Sequence, residues 1–186
     1  MAVDKRVVEQ LVYALLHAVG EDPGREGLRD TPARVARFWG EFLDHTVPAS
    51  TMFEQQTSDD LVAVGPMRVW SLCEHHLLPF YADVTIGYLP DGLVLGLSKF
   101  ARIAHHAAGR LQLQERLVAQ IADQVSSTTR SPDVAVVARG RHLCMEMRGV
   151  KTPAITTTSV MRGRFRDTPP LRAEFMRLVL PSLDSR

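Results

Sequence analysis

The 186-residue chain is 45% hydrophobic and 23% charged, an ordinary globular composition with enough length for one domain and a sizeable core. Its 22 basic and 21 acidic side chains leave a net charge of +1, so no global positive field draws in nucleic acid and any anion site must be local. The opening Met1-Ala2-Val3-Asp4-Lys5-Arg6 lacks a signal-type apolar run and no later stretch approaches membrane-spanning length, which predicts a cytoplasmic protein with no membrane partner.

In chain order, Val7, Val8, Leu11, Val12, Leu15, Leu16 and Val19 recur at three- and four-residue steps, predicting an amphipathic helix that Gly20 ends. Asp30-Thr31-Pro32 then pairs a capping side chain with a proline suited to a first helical turn, and Val35, Phe38, Trp39, Phe42 and Leu43 follow. Residues 48–60 are polar and mixed, a predicted loop, after which the period changes. Strands are expected over 69–72 and 81–89, and the turn signal Pro90-Asp91-Gly92 before Leu93 to Leu97 predicts a hairpin. Ser98 is placed to cap a helix through Gly109, and Leu111, Leu117, Val118, Ile121 and Val125 mark a longer helical run. Residues 133–142 and 155–165 read as strands, and Thr168-Pro169-Pro170 starts a last helix ending near Leu180. Clustered rather than alternating elements predict an α+β fold with antiparallel pairing, not a Rossmann alternation. The expected layout is one domain, with a helical region over residues 1–47 and a core over 61–182.

The chain has two cysteines, and each lies beside histidine at the end of an expected strand. A catalytic zinc site takes three protein ligands from Cys, His and carboxylate and leaves a fourth position for water. Cys73-Glu74-His75-His76 places a thiolate and an imidazole three residues apart, and His142-Leu143-Cys144 supplies a second thiolate. A lone Cys-x-x-His would be read as a buried small hydrophobe beside an ordinary histidine. Two cysteines with three histidines favour a metal. His75 and His76 cannot both reach one ion from an extended strand, so one is left for proton transfer, a role for which imidazole suits neutral pH and which His142 could also fill. His17, His45, His105 and His106 fall on expected helices and read as ordinary surface or core residues.

Ser98-Lys99-Phe100-Ala101-Arg102 opens an expected helix, joining free backbone amides to Lys99 and Arg102, a pattern that suits phosphate. A capped, solvated helix start is the competing reading. Arg148 adds a guanidinium near Cys144, Arg34 could join from the second helix, and no Walker-type glycine loop is present. Glu115, beside Gln114, is favoured by the helix dipole alone, yet a carboxylate also accepts the two adjacent donors of a guanine edge. Spacing does not separate these two.

Ser71-Leu72-Cys73-Glu74-His75-His76-Leu77-Leu78-Pro79-Phe80 resembles the zinc motif of the GTP cyclohydrolase I family. Ile86-Gly87-Tyr88-Leu89-Pro90, Val94-Leu95-Gly96-Leu97-Ser98-Lys99, Gln112-Leu113-Gln114-Glu115-Arg116-Leu117 and His142-Leu143-Cys144-Met145-Glu146-Met147-Arg148-Gly149-Val150 resemble further blocks in order. Upstream, Glu26-Gly27-Leu28-Arg29-Asp30-Thr31-Pro32-Ala33-Arg34-Val35-Ala36 extends the likeness over nearly the whole chain. The resemblance implies a tunnelling fold, an antiparallel sheet with helices on one face, and a homodecamer with sites between subunits. By matching position it implies zinc on Cys73, His76 and Cys144, with proton transfer by His75 and His142. It also implies guanine recognition by Glu115 with Gln114, and ribose and triphosphate contacts from Ser98, Lys99, Arg102, Arg148 and Arg34, the last from a neighbouring subunit. The implied reaction opens GTP at C8, releases formate and forms 7,8-dihydroneopterin triphosphate. Two other readings are a nitrile reductase of similar fold, which needs a free nucleophilic cysteine and a nicotinamide cofactor, and a non-catalytic pterin-binding relative.

Overall fold

The computed structural model describes residues 3–43, 52–54 and 60–184. The chain forms two compact units, Met1–Thr46 and Val47–Arg186. In the first, helix α1 (Lys5–Ala18) starts where the Asp4 carboxylate accepts the Val7 amide at 3.1 Å. It stops at Val19, with Gly20 following at a φ of +86°, the left-handed region that glycine enters without a Cβ clash. Helix α2 (Thr31–Leu43) begins after Asp30, as expected, and Val8, Leu11, Val12 and Leu15 of α1 share an apolar groove with Trp39 and Leu43. The expectation for His45 lies outside the described residues.

The second unit holds strands β1 (Met52–Glu54), β2 (Val62–Cys73), β3 (Pro79–Tyr88) and β4 (Leu93–Leu95), helix α3 (Leu97–Ala108), strand β5 (Leu111–Gln112) and helix α4 (Gln114–Thr129). Strand β6 (Val134–His142), the single-turn helix α5 (Leu143–Glu146), strand β7 (Thr156–Met161), the short helix α6 (Arg164–Asp167) and helix α7 (Pro169–Asp184) complete it. Five strands form one sheet in the order β5-β2-β3-β6-β7, antiparallel except where β5 runs parallel to β2. This is the expected α+β class with antiparallel pairing.

Helices α3 and α4 cover one face. Phe100, Ile103 and Ala104 of α3 and Leu117, Val118 and Ile121 of α4 pack on Val69, Phe80, Val84 and Ile86. Burying each of the Phe, Ile, Leu and Val side chains among these contributes roughly 1.5–3 kcal/mol. Strand β6 is apolar at consecutive positions because both its faces are covered: Val134, Val136 and Ala138 turn toward α3 and α4, while Ala135 and Val137 meet Phe165 of α6 and Phe175 of α7.

Three expectations are corrected. Strand β4 does not form a hairpin with β3; it pairs antiparallel with β1, Met52 facing Leu95, inside the segment expected to be loop. Strand β2 begins at Val62, where the sequence reads as sheet from Leu61, but it is one long strand rather than a short one over residues 69–72, with a register shift between Val64 and Met67. Ser98 does not cap α3. The cap position is Gly96, and Ser98 falls in the first helical turn.

Candidate active site

The sheet brings the ends of several strands to one place. Cys73 ends β2 opposite Gln112 of β5, and Phe80, at the start of β3, faces His142 at the end of β6. Residues 74–76 leave the strand in a tight turn, in which the Cys73 carbonyl accepts the amides of His76 at 3.3 Å and Leu77 at 2.8 Å. That turn, rather than an extended strand, separates the two neighbouring histidines: their rings stand 85° apart, and His76 Nδ1 curls to 3.8 Å from Cys73 Sγ.

Cys144 arrives on α5 directly after β6. Arg141 holds this turn by donating to both carboxylate oxygens of Glu146, at 2.8 and 2.7 Å. The ligand atoms of Cys73, His76 and Cys144 all lie within 4.8 Å of one another. Two soft sulfurs and one imidazole nitrogen at that spacing suit a tetrahedral zinc with one position left open. Burial pushes the Cys144 thiol up from its ordinary value, and the neighbouring Cys73 thiol raises it further, while Arg148 opposes the shift. A bound cation reverses this logic, because two crowded thiols become favourable once a metal takes them as thiolates.

The other expected groups divide into two sets. His142 lies beside the cluster, its ring stacked on Phe80 at 4.5 Å between centroids and 10° between planes. Burial depresses its proton affinity, and the negative charges of Glu115 and Glu146 partly offset this. Glu115 occupies the exposed first turn of α4. Glu74 accepts Arg116 through two bonds of 2.6 and 2.9 Å, which tie the turn carrying His75 to the helix start carrying Glu115. Gln114, expected beside Glu115 at the guanine edge, is only 1% exposed, and its side chain bonds within the protein.

Ser98, Lys99 and Arg102 belong to the second set. The start of α3 is held at the Tyr88 end of β3, where the Leu95 amide donates to the Tyr88 hydroxyl at 3.0 Å. Its other end is held near Cys73, where Ser71 Oγ lies 2.7 Å from the Ala108 carbonyl and 3.0 Å from that of Arg110. At about 3.3 Å per residue, the two ends of β3 are on the order of 30 Å apart. The basic helix start and the thiol cluster of one chain therefore lie toward opposite ends of the sheet. Arg34 lies on α2 in the first unit, exposed and bonded to Asp30 at 3.2 Å.

Sequence reasoning missed two features of this site, the Phe80 stack and the inward turn of Gln114. Both depend on which strands are neighbours. The fold and site define an α+β protein with a Cys-His-Cys group that could hold a metal ion beside a half-buried imidazole. Residues 8–180 match the family described as GTP cyclohydrolase I, and the chain belongs to that family. It is similar to the GTP cyclohydrolase 1 of Hyperthermus butylicus, 47% identical over 100% of this chain and 96% of the relative. That of a Sulfurihydrogenibium species is 46% identical over 96% and 97%. That of Mycobacterium leprae is 48% identical over 95% and 90%. A solved archaeosine synthase QueF-Like structure in the apo form shares 21% identity at a TM-score of 0.44, covering 55% of this chain and 95% of that one, too slight a likeness to decide fold or function. Among the described residues, no helix is long and apolar enough to cross a membrane.

Proposed function

We propose that this protein is a zinc-dependent hydrolase that converts GTP and water to 7,8-dihydroneopterin triphosphate and formate in the cytoplasm. The observation that carries the reading is the meeting of Cys73, His76 and Cys144 beside His142, in a chain whose full-length relatives bear the name GTP cyclohydrolase 1. Cys73, His76 and Cys144 hold the ion, and bound zinc supplies Lewis acidity toward water and the opening purine ring. Glu115 accepts the two donors of the guanine edge and so orients C8. His142 protonates the purine nitrogen as the ring opens, and His75 moves protons on the exposed side of the cluster.

Ser98, Lys99, Arg102, Arg148 and Arg34 bind the ribose and triphosphate. Because α3 points its basic start away from its own thiol cluster, Ser98, Lys99 and Arg102 serve the cluster of a neighbouring copy, while Arg148 acts beside the Cys144 of its own chain, which supports a homo-oligomer, a decamer by family likeness, with sites between subunits. Assembling the inactive variants Lys99→Ala and Cys144→Ser into mixed oligomers is expected to restore part of the activity. Mixed oligomers as inactive as either parent would overturn the shared-site arrangement.

The test of function is incubation with GTP, followed by formate release and by fluorescence of the oxidised pterin, with and without a chelator. Chelator-sensitive production of both is expected. Formate without pterin, or NADPH consumption on a nitrile substrate, would overturn the reading. Both cysteines of the chain belong to the cluster, which leaves no separate nucleophile for nitrile chemistry. Glu115→Gln is expected to lower kcat/KM for GTP about 10–100-fold, since a hydrogen bond to a charged group contributes about 1.5–3 kcal/mol, with zinc content unchanged.

A further inference from the structure

Gln114 is the first residue of α4, and its side chain reaches between β6 and β7. Its amide nitrogen lies 3.2 Å from the Ala138 carbonyl, 3.0 Å from the Thr156 carbonyl and 3.1 Å from Thr158 Oγ1. Carbonyl oxygens only accept, so the NH2 group must face them; the reversed amide would set oxygen against two carbonyl lone pairs. That choice fixes Oε1 on the other side, 2.9 Å from His142 Nε2. An amide oxygen also only accepts. The hydrogen of this bond therefore belongs to His142 Nε2.

Two further features hold the pair in place. Gly140, between Ala138 and His142 on β6, leaves room for the amide: a methyl group there would overlap Gln114 Oε1 and lie 2.6 Å from the Tyr81 carbonyl. The parallel stack on Phe80 limits rotation of the imidazole out of its plane.

We infer that Gln114 is a positioning residue that fixes the orientation of His142 and its Nε2–H tautomer, leaving Nδ1 as the nitrogen open to proton exchange with the substrate. This rests on the proposed role of His142 in proton transfer. To act as an acid the ring first takes a proton on Nδ1 from hydronium, releasing water and giving an imidazolium with a hydrogen on each nitrogen. Transfer to the purine breaks the Nδ1–H bond, leaves its electron pair on Nδ1 and returns the neutral Nε2–H ring bonded to Gln114.

The test is a long-range proton–nitrogen correlation spectrum of zinc-loaded protein labelled with 15N-histidine, recorded with the ring neutral. His142 is identified by the signals that vanish in His142→Asn. The expected pattern is a protonated-type Nε2 and a bare Nδ1. In Gln114→Ala and in Gly140→Ala that pattern should give way to a tautomer mixture. Turnover of GTP should fall by about tenfold or more through kcat, with KM and zinc content within about twofold. A protonated Nδ1 in the unsubstituted protein overturns the inference, as does full kcat in Gln114→Ala. A loss expressed mainly as raised KM overturns it too, since that would mark Gln114 as a guanine contact. The spectrum of the unsubstituted protein decides the tautomer even where a variant fails to fold. If GTP is not turned over at all, the proposed function fails, yet the spectra still decide whether Gln114 holds the ring.

Discussion

Cys144→Ser is expected to strip the protein of zinc and to reduce GTP turnover to background. The three ligand atoms converge within 4.8 Å, so each is one corner of a small polyhedron, and the exchange of sulfur for a hydroxyl leaves a neutral, weakly coordinating group in its place. Removing an outer partner of a metal ligand typically costs about 10–100-fold in affinity, and losing a ligand outright should exceed this. Metal analysis of the purified variant, with competition against a chromophoric chelator, gives the readout. A variant with full zinc would remove Cys144 from the ligand set. The same site predicts a pH effect whose sign follows from the raised Cys144 thiol. Burial and Cys73 keep that thiol protonated near neutral pH in metal-free protein, whereas the metal takes the thiolate. Zinc uptake must release this proton, so zinc affinity should fall as pH falls. Zinc titration in weakly buffered solution with an indicator dye would detect the release, and uptake without acidification would contradict the assignment.

His142→Ala is expected to give the opposite separation, with zinc kept and turnover lost. The imidazole is stacked on Phe80 and bonded to Gln114, and it is not one of the three converging ligand groups. Its removal should leave the thiols and His76 where they are. A positioned general acid or base contributes about 10²–10⁴-fold, and kcat should fall by that order with little change in KM. If the variant lost its zinc, His142 would have to be reassigned to the ligand set. If it kept full kcat, proton transfer would have to lie with His75.

The elements with strong local period were legible from the chain alone. The first two helices, the valine-rich strand before His142 and the helix opened by two prolines all formed within a few residues of expectation, because amphipathic spacing, Asp4 and Asp30 at helix starts, and Gly20 act locally. The turn chemistry of Pro90-Asp91-Gly92 was misleading. It predicts a hairpin, but pairing needs a partner edge: on β3 one edge is taken by β2 and the other by β6, so β4 joins β1. Similarly, Ser98 is a good capping residue in the wrong position, since the chain enters the helix at Gly96.

Residue types and their order were enough to single out Cys73, His76 and Cys144, since a thiolate–imidazole pair and a second thiolate flanked by histidine have few other joint uses. Their convergence depends on strand neighbours far apart in sequence, and so do the remaining roles. The β2-β3-β6-β7 order sets His142 on Phe80, turns Gln114 inward against Thr156 and makes Gly140 the space its amide needs. The direction of α3 carries Ser98, Lys99 and Arg102 toward the end of the sheet away from the Cys73 cluster of the same chain. Local spacing reports only which groups share a turn or a face; which ends of the sheet they occupy is set by non-local pairing and core packing.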